Sequence, residues 1–222
     1  MKVIFRKRGI KPRYFKNFSN FVVVTERLKI KYIDIHTHNP REDVTSPTMA
    51  GIHPWQAEEE HQLPDFTQCD IVGETGLDYA HNASKERQRR LFVAHLEAAA
   101  EANKPVVLHV VRAIEEVLSI LAGHTALQGI LFHSFIGSRQ QAERCIARGY
   151  YLSFGPRSLR SPKTREVIAR MPISLLFCET DAERDKGNIE EVYCEVAQLR
   201  GIAIEELAES IEKNYNRLIN NG

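Results

Sequence analysis

The chain has no apolar run near the roughly 18 residues that a membrane span requires. It also lacks a signal-peptide core, since the longest apolar run near its start is Phe21-Val22-Val23-Val24. Cysteine is sparse. Cys69, Cys145, Cys178 and Cys194 form no Cys-x-x-Cys pair, which excludes a disulfide framework and a zinc knuckle and points to reduced thiols in the cytoplasm. Internal repeats and low-complexity tracts are missing as well. Acid is almost absent from residues 1–32, where ten Lys/Arg face Glu26 alone. The net charge of +1 therefore divides into +9 over that stretch and −8 over the rest. An acidic body excludes a passive polyanion binder that works by phosphate neutralisation alone. It leaves room for an enzyme whose metal ions supply the local positive charge.

What is present is an ordinary globular composition, 43% hydrophobic and 27% charged over 222 residues, room for one large domain or two small ones. From residue 31, short β-branched apolar runs alternate with amphipathic stretches. The runs are 31–35, 49–52, 69–72, 105–108, 129–132, 149–154 and 173–177. Helical patterns cover 84–103, behind a Ser84 cap, then 112–122, 138–148, 189–200 and 204–219, the last two joined at Gly201. Strand–helix alternation with near-continuous apolar strands predicts α/β architecture with a parallel sheet covered by helices. Polar residues then recur at the C-terminal ends of successive strands: His36 and His38, His53, Glu74, His109, His133 and Asp181. An open sheet gathers ligands at one crevice. A TIM-type (β/α) barrel brings every strand end to one rim, and fits this distribution better.

The chemistry follows from those ends. In Asp34-Ile35-His36-Thr37-His38 the two histidines share strand parity, so both imidazoles can reach one metal ion. On that motif alone, two histidines on a wet strand face remain an equal reading. In Gly73-Glu74-Thr75-Gly76-Leu77-Asp78 an apolar run leads into a carboxylate bracketed by glycines, which allow close backbone approach. Its two oxygens can bridge two cations, whereas Asp78 could orient Glu74 or a water, or cap the next segment. His109 and His133 each follow three apolar residues. Leu175–Asp181 ends in two carboxylates of equal parity, Glu179 and Asp181, which burial would make costly without a cation. Four imidazoles with two or three carboxylates are too many for one ion and suit two, of the Mg, Mn or Zn kind rather than copper–thiolate or iron–sulfur chemistry.

The segments Asp34–His38, Gly51-Ile52-His53-Pro54-Trp55, Gly73–Tyr79, Pro105–His109, Phe132–Gly137, Gly149–Gly155 and Glu179–Ala182, with Asn214-Tyr215-Asn216-Arg217-Leu218 near the end, together resemble the TatD family of metal-dependent deoxyribonucleases, a branch of the amidohydrolase-type barrels. The resemblance spans roughly residues 32–220. It implies a first metal on His36, His38 and Asp181, Glu74 as the bridge, and a second metal on His109 and His133. His53 would contact the scissile phosphate. Asp181 would help deprotonate the attacking water, with Glu179 supporting it. The implied activity is phosphodiester hydrolysis of DNA with two divalent ions. Hydrolysis of carboxylic esters or amides, including aminoacyl-tRNA esters, and a non-catalytic metal-binding barrel are the alternatives. No membrane or obligate protein partner is expected.

Three features depart from that pattern. Only twelve residues, 39–50, separate His38 from Gly51, which predicts a distorted or seven-stranded barrel with an open mouth, or one that borrows a strand from Phe21–Ile30. Arg112 lies three residues past His109, with reversed parity, and receives no role. Glu183-Arg184-Asp185 follows Ala182, which predicts a shorter rim. Residues 1–31 read as a basic, partly disordered extension or upstream start, a nucleic-acid-binding arm, or a targeting segment, with the hydrolase barrel over 32–222. His61, His81, His95 and His124 read as surface or helix-packing residues. Trp55, Tyr79 and Phe135 beside the motifs either stack on a base or pack at the rim.

Overall fold

The structure is a computed structural model and describes residues 30–220. The expected basic extension and the candidate strand Phe21–Ile30 fall, apart from Ile30 and Lys31, outside the described residues.

Six parallel strands form one sheet in the order β1 (Met49–Ala50), β2 (Ile71–Asp78), β3 (Val106–Val111), β4 (Ile130–Phe132), β5 (Tyr151–Phe154) and β6 (Leu176–Cys178). Each strand lies beside its chain neighbour, so the order never reverses and no single switch-point crevice arises. Helix α1 (Lys85–Glu101) connects β2 to β3, α2 (Ile114–Leu121) connects β3 to β4, and α3 (Arg139–Ile146) connects β4 to β5. Two helices, α4 (Pro156–Leu159) and α5 (Pro162–Arg170), lie between β5 and β6. The chain ends in α6 (Ile189–Arg200) and α7 (Ile204–Asn220).

The two sheet edges meet through the extended segment 32–38. On one side Asp34 N–H donates to Thr45 O at 2.9 Å and Thr45 N–H to Tyr32 O at 3.1 Å, around a parallel bridge between Ile33 and Thr45. On the other, Ile35 N–H donates to Cys178 O at 3.2 Å and Asp181 N–H to His36 O at 3.1 Å. The six-stranded sheet does not itself close; segment 32–38 lies between its β6 edge and Thr45, ahead of β1, an arrangement that fits a distorted TIM-type barrel. The strand expected over 31–35 is therefore a single bridge and not a ladder. The connection from β1 to β2 holds two short 3-10 turns, Pro54–Gln56 and Phe66–Gln68, where an α-helix would be usual.

Most helix signals hold. Ser84 Oγ accepts from Arg87 N–H, and Ser138 and Gln141 form a reciprocal capping box. Gly201 ends α6 with φ of 66°. Helix α5 was not anticipated, although Ser161 caps it and Pro162 occupies its first turn. The largest correction is β2. The apolar run suggests a strand ending at Val72, but it continues to Asp78 with a register shift between Val72 and Thr75. Glu74 thus stands on a strand rather than in a loop.

The core fills the barrel and the space beneath the helices, with Ile33, Ile71, Leu77, Leu108, Leu131, Phe154 and Phe177 essentially inaccessible. Tyr193 of α6 reaches into it. Its hydroxyl accepts from Ile33 N–H at 3.1 Å and donates to Ile33 O at 3.0 Å, which anchors the closing segment.

Candidate metal centre

The strand ends converge. His36, His38, His53, Glu74, His109, His133 and Asp181 line one open cavity of about 1440 Å³. Glu74 is its hub, with a side chain only 8% exposed. Its Oε2 lies 3.4 Å from His36 Nε2 and 3.6 Å from His38 Nε2, and Asp181 Oδ1 lies 3.7 Å from both nitrogens. Its Oε1 lies 2.7 Å from His109 Nδ1, 2.6 Å from His133 Nε2 and 3.4 Å from His53 Nε2. The carboxylate therefore presents one oxygen to each of two histidine groups. Within these, His36, His38 and Asp181 form one set of mutually close donor atoms, and His36, Glu74 and His133 another.

Whether the donors suit a metal can be read from the ring nitrogens. His36 Nε2 is buried and has no hydrogen-bond partner, while its Nδ1 lies 3.3 Å from Met49 Sδ. A buried polar atom without a partner is costly, and a cation satisfies it. His109 Nε2 lies 3.1 Å from Asp78 Oδ2 and its Nδ1 2.7 Å from Glu74 Oε1, so each ring nitrogen faces a carboxylate, and a cation at Glu74 would leave Nε2–H donating to Asp78. A carboxylate behind a metal-binding imidazole is a recurrent way to fix its tautomer and orientation. His53 is the opposite case. Its Nδ1 accepts the backbone N–H of Trp55 at 3.3 Å, so in the neutral ring Nε2 carries the proton and acts as a donor toward the cavity. His53 also lies among donor atoms with Glu74 and His109, but its tautomer separates it from the ligand-competent rings.

Glu179 stands behind the cage and is fully buried. Its Oε1 accepts from Ser134 N–H at 2.7 Å, its Oε2 from the Ser153 hydroxyl at 2.5 Å, and His133 Nδ1 lies 3.8 Å away. Ser134 Oγ also reaches Asp181 Oδ2 at 3.2 Å, linking the two carboxylates. Electrostatics follow this layout. Burial pushes the Glu74 carboxyl upward, but the charge on His133 and the hydrogen-bond contacts of His109 and His133 outweigh it and hold it well below the usual range. Burial opposes a charge on His133, yet Glu74 and Glu179 prevail and lift it to about 10. Glu179 is likewise lowered, chiefly by His133 working against its burial. Arg112, Ser134 and Asp181, all just beyond strand ends, adopt left-handed backbone with φ of 54°, 44° and 50°. Such strain, about 1–3 kcal/mol per residue, collects where a site constrains the chain.

Every predicted site residue reaches this region. The sequence leaves the role of Asp78 open and carries no local signal for Ser134, Ser153 or Met49. Glu74, Gly76 and Asp78 share one face of a continuing strand, so Asp78 becomes legible once β2 is known to run past the glycines. Of the histidines set aside, His95 is a buried helix residue whose Nε2 accepts Ile52 N–H at 3.0 Å, as expected. His81 is exposed and stacks on Trp55 at the rim.

Residues 6–220 match the family described as TatD related DNase, a span that begins well before the first motif. A metal-dependent hydrolase of Escherichia coli K12, YcfH, is 31% identical over 189 residues, covering 76% of this chain and 71% of that protein. The 3'-5' ssDNA/RNA exonuclease TatD of the same organism is 36% identical over 146 residues, 60% of this chain and 56% of its own length. Among solved structures, the TatD homologue YjjV of Escherichia coli K12 superposes with a TM-score of 0.73 at 27% identity over 86% of both chains. A TatD family hydrolase from Entamoeba histolytica, at 16% identity and a TM-score of 0.71 over 81% of this chain and 76% of its own, shares the fold. With the match spanning every described residue, and with the cage of imidazoles and carboxylates at its strand ends, the chain belongs to the TatD related DNase family and, with it, to the metal-dependent hydrolases.

Proposed function

We propose that the protein hydrolyses phosphodiester bonds of DNA with two divalent cations, Mg, Mn or Zn, bridged by Glu74. The observation that carries this reading is the division of the Glu74 carboxylate, with Oε2 toward His36 and His38 and Oε1 toward His109 and His133. Asp181 would complete the first group, and His109 of β3 with His133 after β4 would hold the second cation. The chemistry such a pair supplies when bound is Lewis acidity, which acidifies water and offsets charge on the phosphoryl oxygens.

The chain's own residues divide the remaining work. Asp181 takes the proton of the attacking water at its carboxylate, held in place through Ser134 Oγ. Glu179 holds Ser134 and faces His133, so it keeps both partners in register. His53 directs Nε2–H at a phosphate oxygen, the role its tautomer permits. Asp78 fixes His109. The cavity exceeds the roughly 300–1,000 Å³ typical of small-molecule pockets, which suits the end of a polymer. The nuclease name of a relative favours phosphodiester cleavage over the carboxylic-ester, amide and non-catalytic alternatives. A cytoplasmic location agrees with four unpaired cysteines, and no helix among the described residues is long and apolar enough to cross a membrane.

The test is release of nucleotides from single-stranded DNA across a panel of divalent metals, with a Glu74→Ala variant as control. Metal-dependent release that vanishes in the variant is expected. A chelator-insensitive protein, or one active on esters but inert toward DNA, contradicts the reading.

A further inference from the structure

Among the described residues, two large apolar side chains are markedly exposed, Trp55 at 51% and Ile136 at 55%, and both stand on the wall of the cavity that holds the histidine cage. Single exposed hydrophobics scattered over a surface need no explanation. Their gathering at one mouth does. Trp55 is also held with unusual care for an exposed ring. Its Nε1–H donates to Asp78 Oδ2 at 2.7 Å, its backbone N–H donates to His53, and its ring lies over His81 at 5.1 Å with 16° between planes. The rings of His53 and His109 meet it edge-on at 4.7 and 6.0 Å. The indole is thus pinned to the same carboxylate that fixes His109, one layer out from the cage.

We infer that Trp55, backed by His81, is the platform on which an unpaired nucleobase stacks beside the scissile phosphate; this rests on the phosphodiesterase reading above. The argument is one of shape, cost and place. A flat aromatic surface suits any base, because every base has a π-face, and so gives grip without sequence preference. Three fixed contacts leave the ring little freedom to lose, so stacking incurs a small entropic cost. A purely structural Trp55 would need only its N–H to Asp78, and that leaves the half-exposed ring without a use. The ring lies against His53, the group that points a proton into the cavity, so a base on the indole keeps its own phosphate at the cage.

The chain has a single tryptophan, so its intrinsic fluorescence reads this ring alone. Mg²⁺-loaded wild-type protein is titrated with a deoxynucleoside monophosphate, which has no diester to cleave, and separately with deoxyribose 5-phosphate. Saturable quenching by the nucleotide and none by the sugar phosphate is expected. In parallel, KM for a single-stranded oligonucleotide is compared in Trp55→Phe and Trp55→Leu. Both variants lose the bond to Asp78, but only the second loses the aromatic face. KM is expected to be about tenfold higher for leucine than for phenylalanine, with similar kcat. Equal KM values, equal quenching by both ligands, or a nucleotide that inhibits cleavage competitively without altering emission overturns the platform and leaves the metal chemistry standing. Wild-type protein that shows no metal-dependent cleavage of the oligonucleotide removes both.

Discussion

At the scale of single residues, the cage is governed by which nitrogen of each imidazole holds a proton. Asp78 backs His109 on the side of the ring away from Glu74. Asp78→Ala should therefore lower divalent-metal affinity by about 10–100-fold while the fold persists. Calorimetric titration with Mn²⁺ checks this, and unchanged affinity would show that His109 needs no partner. Asp34 makes a second case. Burial raises its carboxyl to about 6, against two hydrogen bonds from Thr180 and with Glu179 adding to the rise. Its folded value lies above the unfolded one, so the folded state keeps a proton that the unfolded state releases from about pH 4 upward. The contribution is complete below that point and is lost as pH rises through about 6. Chelator-treated wild type should lose up to about 3 kcal/mol relative to Asp34→Asn across that window. Parallel denaturation curves of the two proteins at pH 4 and pH 7 test the sign. The candidate donors at the strand ends are legible in sequence, because parity and apolar lead-in need only local knowledge. Ser134 was not, since its partners Glu179 and Asp181 lie 45 and 47 residues away.

Among elements, β2 carries the most. Gly76 has φ of +144°, and a Cβ there would lie 2.1 Å from His109 O. Strands β2 and β3 can approach closely only because that atom is missing, and the approach sets Glu74 against His109. Gly76→Ala should destabilise the protein by about 3 kcal/mol or more and weaken metal binding together. Ser138→Ala, which removes half of the α3 capping box, should cost about 1 kcal/mol and leave metal affinity alone. Thermal melts with and without Mn²⁺ distinguish the two outcomes. The same glycines explain why β2 was read too short. Propensity treats Gly73 and Gly76 as breakers, whereas pairing with the whole of β3 keeps the strand going. Helix α5 escaped for a different reason. Its cap and Pro162 are a sound start signal, but the eight residues that follow bury little beyond Thr164, Val167 and Ile168.

For the whole molecule, alternation of strands and helices with polar strand ends was enough to reach the barrel. The place of segment 32–38 between β6 and Thr45 was not, because a few backbone bonds and one bridge leave no periodic trace. The packed interior makes a separate prediction about its thiols. Cys69, Cys145 and Cys178 are buried and Cys194 is exposed. Burial pushes the Cys145 thiol up to about 12 and Cys178 well above its ordinary value. A thiol reagent at pH 8 should modify one cysteine quickly in the native protein and all four in denaturant. More than one fast thiol would mean a looser core than the barrel described.

The claim on which the account depends is that one carboxylate joins two cations. Electron paramagnetic resonance of the protein loaded with two equivalents of Mn²⁺ tests it most directly. A spin-coupled pair that gives way to an uncoupled signal in Glu74→Ala is the predicted result. An uncoupled six-line spectrum in the wild type at full loading would contradict it.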